Sequence, residues 1–374
     1  MSLIATLNPS TYVLAGNPLK LSVQCDGMCS YKVYVGTQLV YDGRMAGNSY
    51  VFIQDIIEPY LHSQVFYNSD ARLIIPATGN GLSCSVVVEC SEDVSTINFK
   101  AYLGGVSRSV LRSIGQGNIF TDRFLTSSGN IFFSLRSESD LLLIRETEIS
   151  PLLFIYPSSG TLSVRCNGES ITLAGTAGAL YALNIEAIRK AFFADYDFIG
   201  SFFEILKSNS LVISIGITPS SVSKDRYYLR YLNSLGAYEV IECSGSAERE
   251  AEFDDDCSYD VYDPVVDGYV RKRDRRRSRQ TVSVHTGLID EERLILYQDL
   301  LSSEDVTLLG YHGCDHKVVP QCDDLTAVIR GARPPFLTIR LTLCDDDDHL
   351  SSDDIDRYLG DGRVHTPEFT EQFN

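Results

Sequence analysis

The side chains best suited to metal chemistry lie in Tyr311-His-Gly-Cys-Asp-His316 and the nearby Cys322. His312, Cys314, His316 and Cys322 supply two imidazoles and two thiols, the ligand set of tetrahedral zinc. Their spacing argues against it, because alternate residues of a strand share a face only while Gly313 leaves the chain straight. A polar loop or hairpin is the favoured reading, and no cofactor is expected. Cys25-Asp-Gly-Met-Cys29 lacks the C-x-x-C spacing of a redox pair. Fifty carboxylates make coincidental acid pairs inevitable, and no nucleophile elbow, zincin, P-loop or dinucleotide motif occurs. Asp345, Asp346, Asp347 and Asp348 lack the glycine and spacing of an EF-hand loop.

One charged cluster suits recognition rather than catalysis. Arg271, Lys272, Arg273, Arg275, Arg276, Arg277 and Arg279 crowd a stretch whose one acid is Asp274. Residues 345–374 carry ten acids, Asp345 to Asp348 among them, against Arg357 and Arg363. The basic block therefore fits an acidic partner surface, including this tail in a neighbouring copy. Nucleic acid is the less favoured partner, because the formal charge is −18 and no aromatics interleave the arginines. An exposed, self-repelling loop is the alternative.

The elements that would position these groups read as sheet. The chain has 374 residues, more than one core usually organises, with 44% apolar and 22% charged residues. No run of apolar residues is long enough to span a membrane. Met1-Ser-Leu-Ile-Ala5 has no basic n-region, so synthesis and folding in the cytosol are expected, with the ten cysteines reduced and mostly buried.

An internal repeat organises the first two thirds. Lys20-Leu-Ser-Val-Gln-Cys-Asp-Gly27 recurs as Thr161-Leu-Ser-Val-Arg-Cys-Asn-Gly168. In both copies Leu, Val and Cys alternate with polar residues and a glycine ends the strand. Further strands follow each copy, then a short helical stretch, which in the second copy has Asn184 as N-cap and Glu186 in its first turn. Later strands are expected at 85–89 and 98–102 in the first copy, and at 211–215 and 227–231 in the second. More are expected at 118–120, 130–135 and 141–145. The fold class is mainly β: two tandem, related β-sandwich (Ig-like) domains with a C-terminal α+β unit. The expected domains are 1–110, 111–250, an acidic/basic linker or loop at 251–279, a strand–helix–strand unit at 280–345 and an acidic tail at 346–374. Within the third, 290–301 is an amphipathic helix with Leu294, Leu296, Leu300 and Leu301 on one face.

Three stretches carry a resemblance: Phe99-Lys-Ala-Tyr-Leu-Gly-Gly-Val-Ser-Arg108, Tyr228-Leu-Arg-Tyr-Leu-Asn-Ser-Leu-Gly-Ala-Tyr238 and Arg279-Gln-Thr-Val-Ser-Val-His-Thr-Gly287. Together they resemble tail and virion structural proteins of tailed bacteriophages and prophages of Bacteroidales, the crAss-like phages included. The resemblance transfers no catalytic residue. It implies a non-enzymatic virion component, a tail hub, distal-tail, collar or fibre adaptor. Such a component is assembled in the host cytoplasm and acts through contacts with other tail proteins. Homo-oligomers are expected, since such rings repeat one interface by symmetry. A receptor- or glycan-binding adhesin is the alternative, and a glycan hydrolase the second; the latter needs a carboxylate pair in a cleft.

Overall fold

In the first copy of the repeat, strand Lys20–Gln24 turns Leu21 and Val23 into a core where both are fully buried. Each such side chain contributes about 1.5–3 kcal/mol relative to exposure. The computed structural model describes residues 3–344 other than 92, 116–118, 127, 137–139, 254–257, 274–277, 290, 312 and 323–335. The fold is mainly β, with two sandwich modules followed by an α+β unit. The chain forms two units, Met1–Ser220 with Leu232–Glu239, and Ser221–Tyr231 with Val240–Asn374.

In the first module Lys20–Gln24 is the middle strand of a three-stranded antiparallel sheet, between Ile4–Asn8 and Ser49–Phe52. A five-stranded sheet shares its core, in the order Tyr12–Leu14, Asp93–Tyr102, Gly81–Cys90, Met28–Val35, Gln38–Ala46. Cys84, Val86, Val88 and Cys90 alternate inward along Gly81–Cys90.

The second copy of the repeat sits differently. Leu162–Cys166 lies within a five-stranded sheet, between Phe202–Lys207 and Glu169–Leu173. The sheet sharing its core has three strands, Leu152–Ile155, Leu180–Leu183 and Ile74–Pro76. The last comes from the segment assigned by sequence to the first module, so a boundary at 110/111 does not separate the two. Ile74 buries into the second core, and Pro76, which has no N–H to donate, ends an edge strand where none is needed.

Helix Ile185–Tyr196 covers this module with Ile185, Ile188 and Phe192. Asn184 caps it, its Oδ1 accepting from Ala187 N at 3.1 Å while its Nδ2 donates to the Asp70 carbonyl at 2.7 Å. The Asp70 carboxylate pairs with Arg72, whose guanidinium holds it down at about 2.

Two expected strands take another form. Phe120–Phe124 is a π-helical turn, and Phe132 makes only an isolated bridge to Phe154. Ile131, Phe132 and Phe133 are consecutive and all buried, which the alternation of a strand cannot achieve on a single face. Phe133 stacks on Phe124 at 4.2 Å, in an aromatic cluster with Tyr102 and Phe120.

That cluster also takes up Leu235 and Ala237, from a turn within one of the three stretches that carry the resemblance. The turn meets another of them backbone to backbone, Gly105 N donating to Ser234 O at 2.7 Å, and the side chain of Asn80 adds a bond from its Nδ2 to Gly236 O at 2.9 Å. A Cβ on Gly104 (φ +98°) would lie 2.3 Å from the Leu235 carbonyl carbon, and one on Gly236 (φ +83°) 2.5 Å from Leu103 O. Gly104→Ala is therefore expected to destabilise the first unit, by about 1–3 kcal/mol from backbone strain alone. Denaturant unfolding of the variant beside the parent checks this.

The second unit also revises the expectation. Strands Arg226–Leu232 and Tyr238–Ser244, from the segment expected in the second sandwich, belong instead to a seven-stranded sheet, with Tyr238–Ser244 at its edge and Arg226–Leu232 next to it. Arg226–Leu232 pairs with Val306–Tyr311, and the sheet continues through Cys314–Gln321, Thr338–Leu343, Ser278–His285 and Ala247–Phe253. Leu229 and Tyr231 alternate into this unit's core. Helix Glu291–Ser302 buries Leu296, Tyr297 and Leu300, with Tyr297 Oη donating to the Glu242 carbonyl. Leu294 and Leu301, expected on its inner face, are only half-buried.

Candidate functional site

The zinc-like residues do not assemble into a site among the described residues. His312 lies outside them. Cys314 and His316 stand two apart on strand Cys314–Gln321, Cys314 exposed and His316 half-buried. His316 Nε2 lies 3.2 Å from the Tyr311 carbonyl, so the hairpin's own backbone occupies it. Cys322 follows the strand's end. Among the described residues no three His, Cys, Asp or Glu side chains come together as metal ligands.

The basic block behaves otherwise than an irregular loop. Arg271, Lys272 and Arg273 lie on strand Gly268–Arg273, antiparallel to Ser258–Asp263, with Asp260 opposite Arg271 and Tyr259 opposite Lys272. Arg279 lies on Ser278–His285, opposite Glu252 on Ala247–Phe253. Arg275, Arg276 and Arg277 fall outside the described residues, as do Asp345, Asp346, Asp347 and Asp348. The two ladders share one register: Phe253 faces Ser278, and five residues further along each strand Ser258 faces Arg273. The stretch expected as a linker thus holds two antiparallel ladders in a common register, a hairpin arm. Charge contributes at two of the described pairs, Glu252 opposite Arg279 and Asp260 opposite Arg271, where opposite charges face across the ladder. Val261 opposite Val270 and Tyr262 opposite Tyr269 add apolar and aromatic pairs.

The arm's end is built locally. Asp263 Oδ1 accepts from Val265 N at 2.9 Å, closing the turn, and Tyr262 Oη donates to Asp267 Oδ1 at 2.5 Å. That bond, with some burial, pushes the Tyr262 phenol up. The Tyr262 and Tyr269 rings meet edge to face at 5.8 Å, and Arg271 Nε donates to Ser258 Oγ at 3.0 Å. Much apolar surface stays in water: Val265 is 91% exposed, Val266 67% and Tyr269 78%. A two-stranded ribbon is marginal by itself in water. Exposed valines and tyrosines beside planar guanidinium groups are the chemistry of a protein-binding surface, where arginine grips carboxylates in two-pronged fashion.

Two further features escaped the sequence reading. Arg136 is 3% exposed and its Nη1 lies 2.7 Å from Glu148 Oε2, with Nε 3.6 Å from Glu239 Oε2. Asn233 Nδ2 donates to Glu239 Oε1 and to the Phe133 carbonyl, while its Oδ1 accepts from Leu235 N and Ala237 N. Period-two alternation did carry a signal, since Glu239 shares the inward side with Ile241. The second feature is a groove of about 360 Å³ over the first module's five-stranded sheet, lined by Thr11, Tyr12, Ser83, Ser85, Asn98 and Lys100 among others. Burial in the core of that module pushes the Cys84 thiol up to about 11, which keeps it protonated and unreactive at neutral pH.

No family model matches the chain, and no curated protein matches it. Among solved structures, a chain of a 1.5-MDa bacterial ice-binding adhesin aligns at 10% identity over 76% of this chain and 93% of its own, with a TM-score of 0.16. The titin I-band fragment I67–I69 aligns at 6% identity over the same shares, with a TM-score of 0.17. A Bacteroides ovatus SGBP-B from a mixed-linkage glucan utilization locus, in complex with a heptasaccharide, aligns at 7% identity over 89% and 94%, with a TM-score of 0.16. At such TM-scores the arrangements do not superpose, and the likenesses carry no argument about this chain.

Proposed function

We propose that this protein is a non-enzymatic structural component that assembles with further copies of itself through the hairpin arm. The observation that carries the reading is the arm's surface, an exposed apolar tip above a stem with Arg271 and Lys272. The occupant is a second copy, because a chain of net charge −18 offers a predominantly acidic surface to those cations. The particle is a phage tail or related virion, as the resemblance in residues 99–108, 228–238 and 279–287 implies. Other tail proteins would then add to the same contacts, and assembly would take place in the host cytoplasm.

Electron microscopy of the purified full chain tests this. Rings or other defined oligomers are expected, whereas a strict monomer that turns over glycan would overturn it. The groove favours a second reading, a glycan-binding adhesin, because hydroxyls, an amide and a tyrosine ring are sugar-binding chemistry. Glycan-array signal from the parent chain, lost in Asn98→Ala, would support it.

A further inference from the structure

Three thiols meet at one end of the first module. Cys25 follows strand Lys20–Gln24 of the three-stranded sheet, while Cys29 and Cys90 belong to adjacent strands of the five-stranded sheet. The ladder between those strands runs to Ser30 opposite Glu89, which puts Cys29 and Cys90 side by side just beyond it. Cys25, Cys29 and Cys90 belong to one core cluster, and the residue that follows Cys25, Asp26, brings its carbonyl to Cys90 Sγ. All three are buried and free. Cys29 Sγ also donates to the Met45 carbonyl at 3.4 Å, and Cys90 Sγ lies 3.7 Å from the Asp26 carbonyl. The second copy of the repeat has no such grouping in sequence, and its Cys166 lies against Gly200.

We propose that Cys25 and Cys90 are a disulfide-forming pair whose oxidant is a low-molecular-weight disulfide such as oxidised glutathione. Cys90 is the entry point, since it is the most exposed of the three and ends its strand beside Ser91, which has a φ of +54°. Its thiolate attacks one sulfur of the oxidant, forming a mixed disulfide and releasing one small thiolate. The Cys25 thiolate then attacks the Cys90 sulfur, and the second small thiolate leaves. Two protein thiols are oxidised, one small disulfide is reduced to two thiols, and the protons lost by Cys25 and Cys90 go to the leaving groups. The new bond joins the two sheets of the sandwich. Cys29, already on the sheet of Cys90, is not consumed.

The neighbouring Cys25 thiol, and burial after it, push the Cys90 thiol up. Reaction should therefore be slow at neutral pH and speed up by about tenfold per pH unit until the thiol ionises. The experiment incubates the full chain with oxidised glutathione across a pH series, alkylates free thiols and maps peptides without reduction. The expected product is a Cys25–Cys90 linked peptide that dithiothreitol reverses, that forms faster as pH rises, and that persists in Cys29→Ala. Full alkylation of Cys25 and Cys90 throughout the series would overturn the proposal. So would a link confined to Cys25 and Cys29. Since the parent chain gives the primary result, a Cys90→Ala control that folds poorly leaves the test intact.

Discussion

Replacing Arg136 with methionine is expected to lower the stability of the first unit by about 3–5 kcal/mol, the usual cost of removing one partner from a buried ion network. Arg136 is 3% exposed, and Glu148 and Glu239 beside it are 0% and 2% exposed. Methionine fills much of the same space, so the loss comes from stripping two buried carboxylates of a guanidinium rather than from a cavity. Lysine at 136 should recover part of the loss, because it keeps the charge but reaches the two glutamates with one point donor instead of a planar fork. The exposed pair Arg165–Glu204, 2.6 Å apart with side chains 41% and 27% exposed, gives the contrast. Arg165→Ala should cost about 1 kcal/mol or less, since water screens that pair. Denaturant unfolding of the three variants and the parent, followed by near-ultraviolet circular dichroism, measures the order.

The second large effect concerns assembly rather than folding. Val265→Asp with Val266→Asp and Tyr269→Ser is expected to leave the chain as single protomers. Truncating an interface anchor that becomes fully desolvated costs about 2 kcal/mol or more, roughly thirtyfold in dissociation constant for each. Three such positions on one arm exceed what an interface of moderate affinity can lose. Reversing Arg271 and Lys272 to glutamate should weaken association most at low ionic strength, because salt screens exposed charges. In neither case should the unfolding of the first unit change, since none of these side chains belongs to it.

Sequence patterns disclosed the elements whose signal is local. The strands of the repeat follow from period-two alternation, and the cap at Asn184 from residue type and position, because one side chain satisfies N–H groups a few residues on. The arm was hidden for the opposite reason. Its strand character comes from pairing across the hairpin, where residues such as Val261 and Val270 or Tyr262 and Tyr269 meet, and its flanking charge runs mask that pairing in the sequence. Partner choice between strands was equally hidden. Arg226–Leu232 alternates as a strand in any sheet, and only its long-range pairing with Val306–Tyr311 places it in the C-terminal unit. Gly104 and Gly236 belong to stretches that stood out in sequence, yet the backbone approach that demands them involves residues far apart in the chain. As for sites, Cys314 and His316 matched a ligand list without coming together with a third ligand among the described residues, whereas Arg136 and Glu148 appear in sequence as ordinary surface charges and only Glu239 carries the inward alternation of its strand.

Sedimentation velocity of the full chain beside the Val265→Asp, Val266→Asp, Tyr269→Ser variant tests the central claim most directly. The parent should sediment as a defined oligomer and the variant as a protomer, with both giving the same circular dichroism. Equal sedimentation of the two, whether as monomers or as the same oligomer, would contradict assembly through the arm.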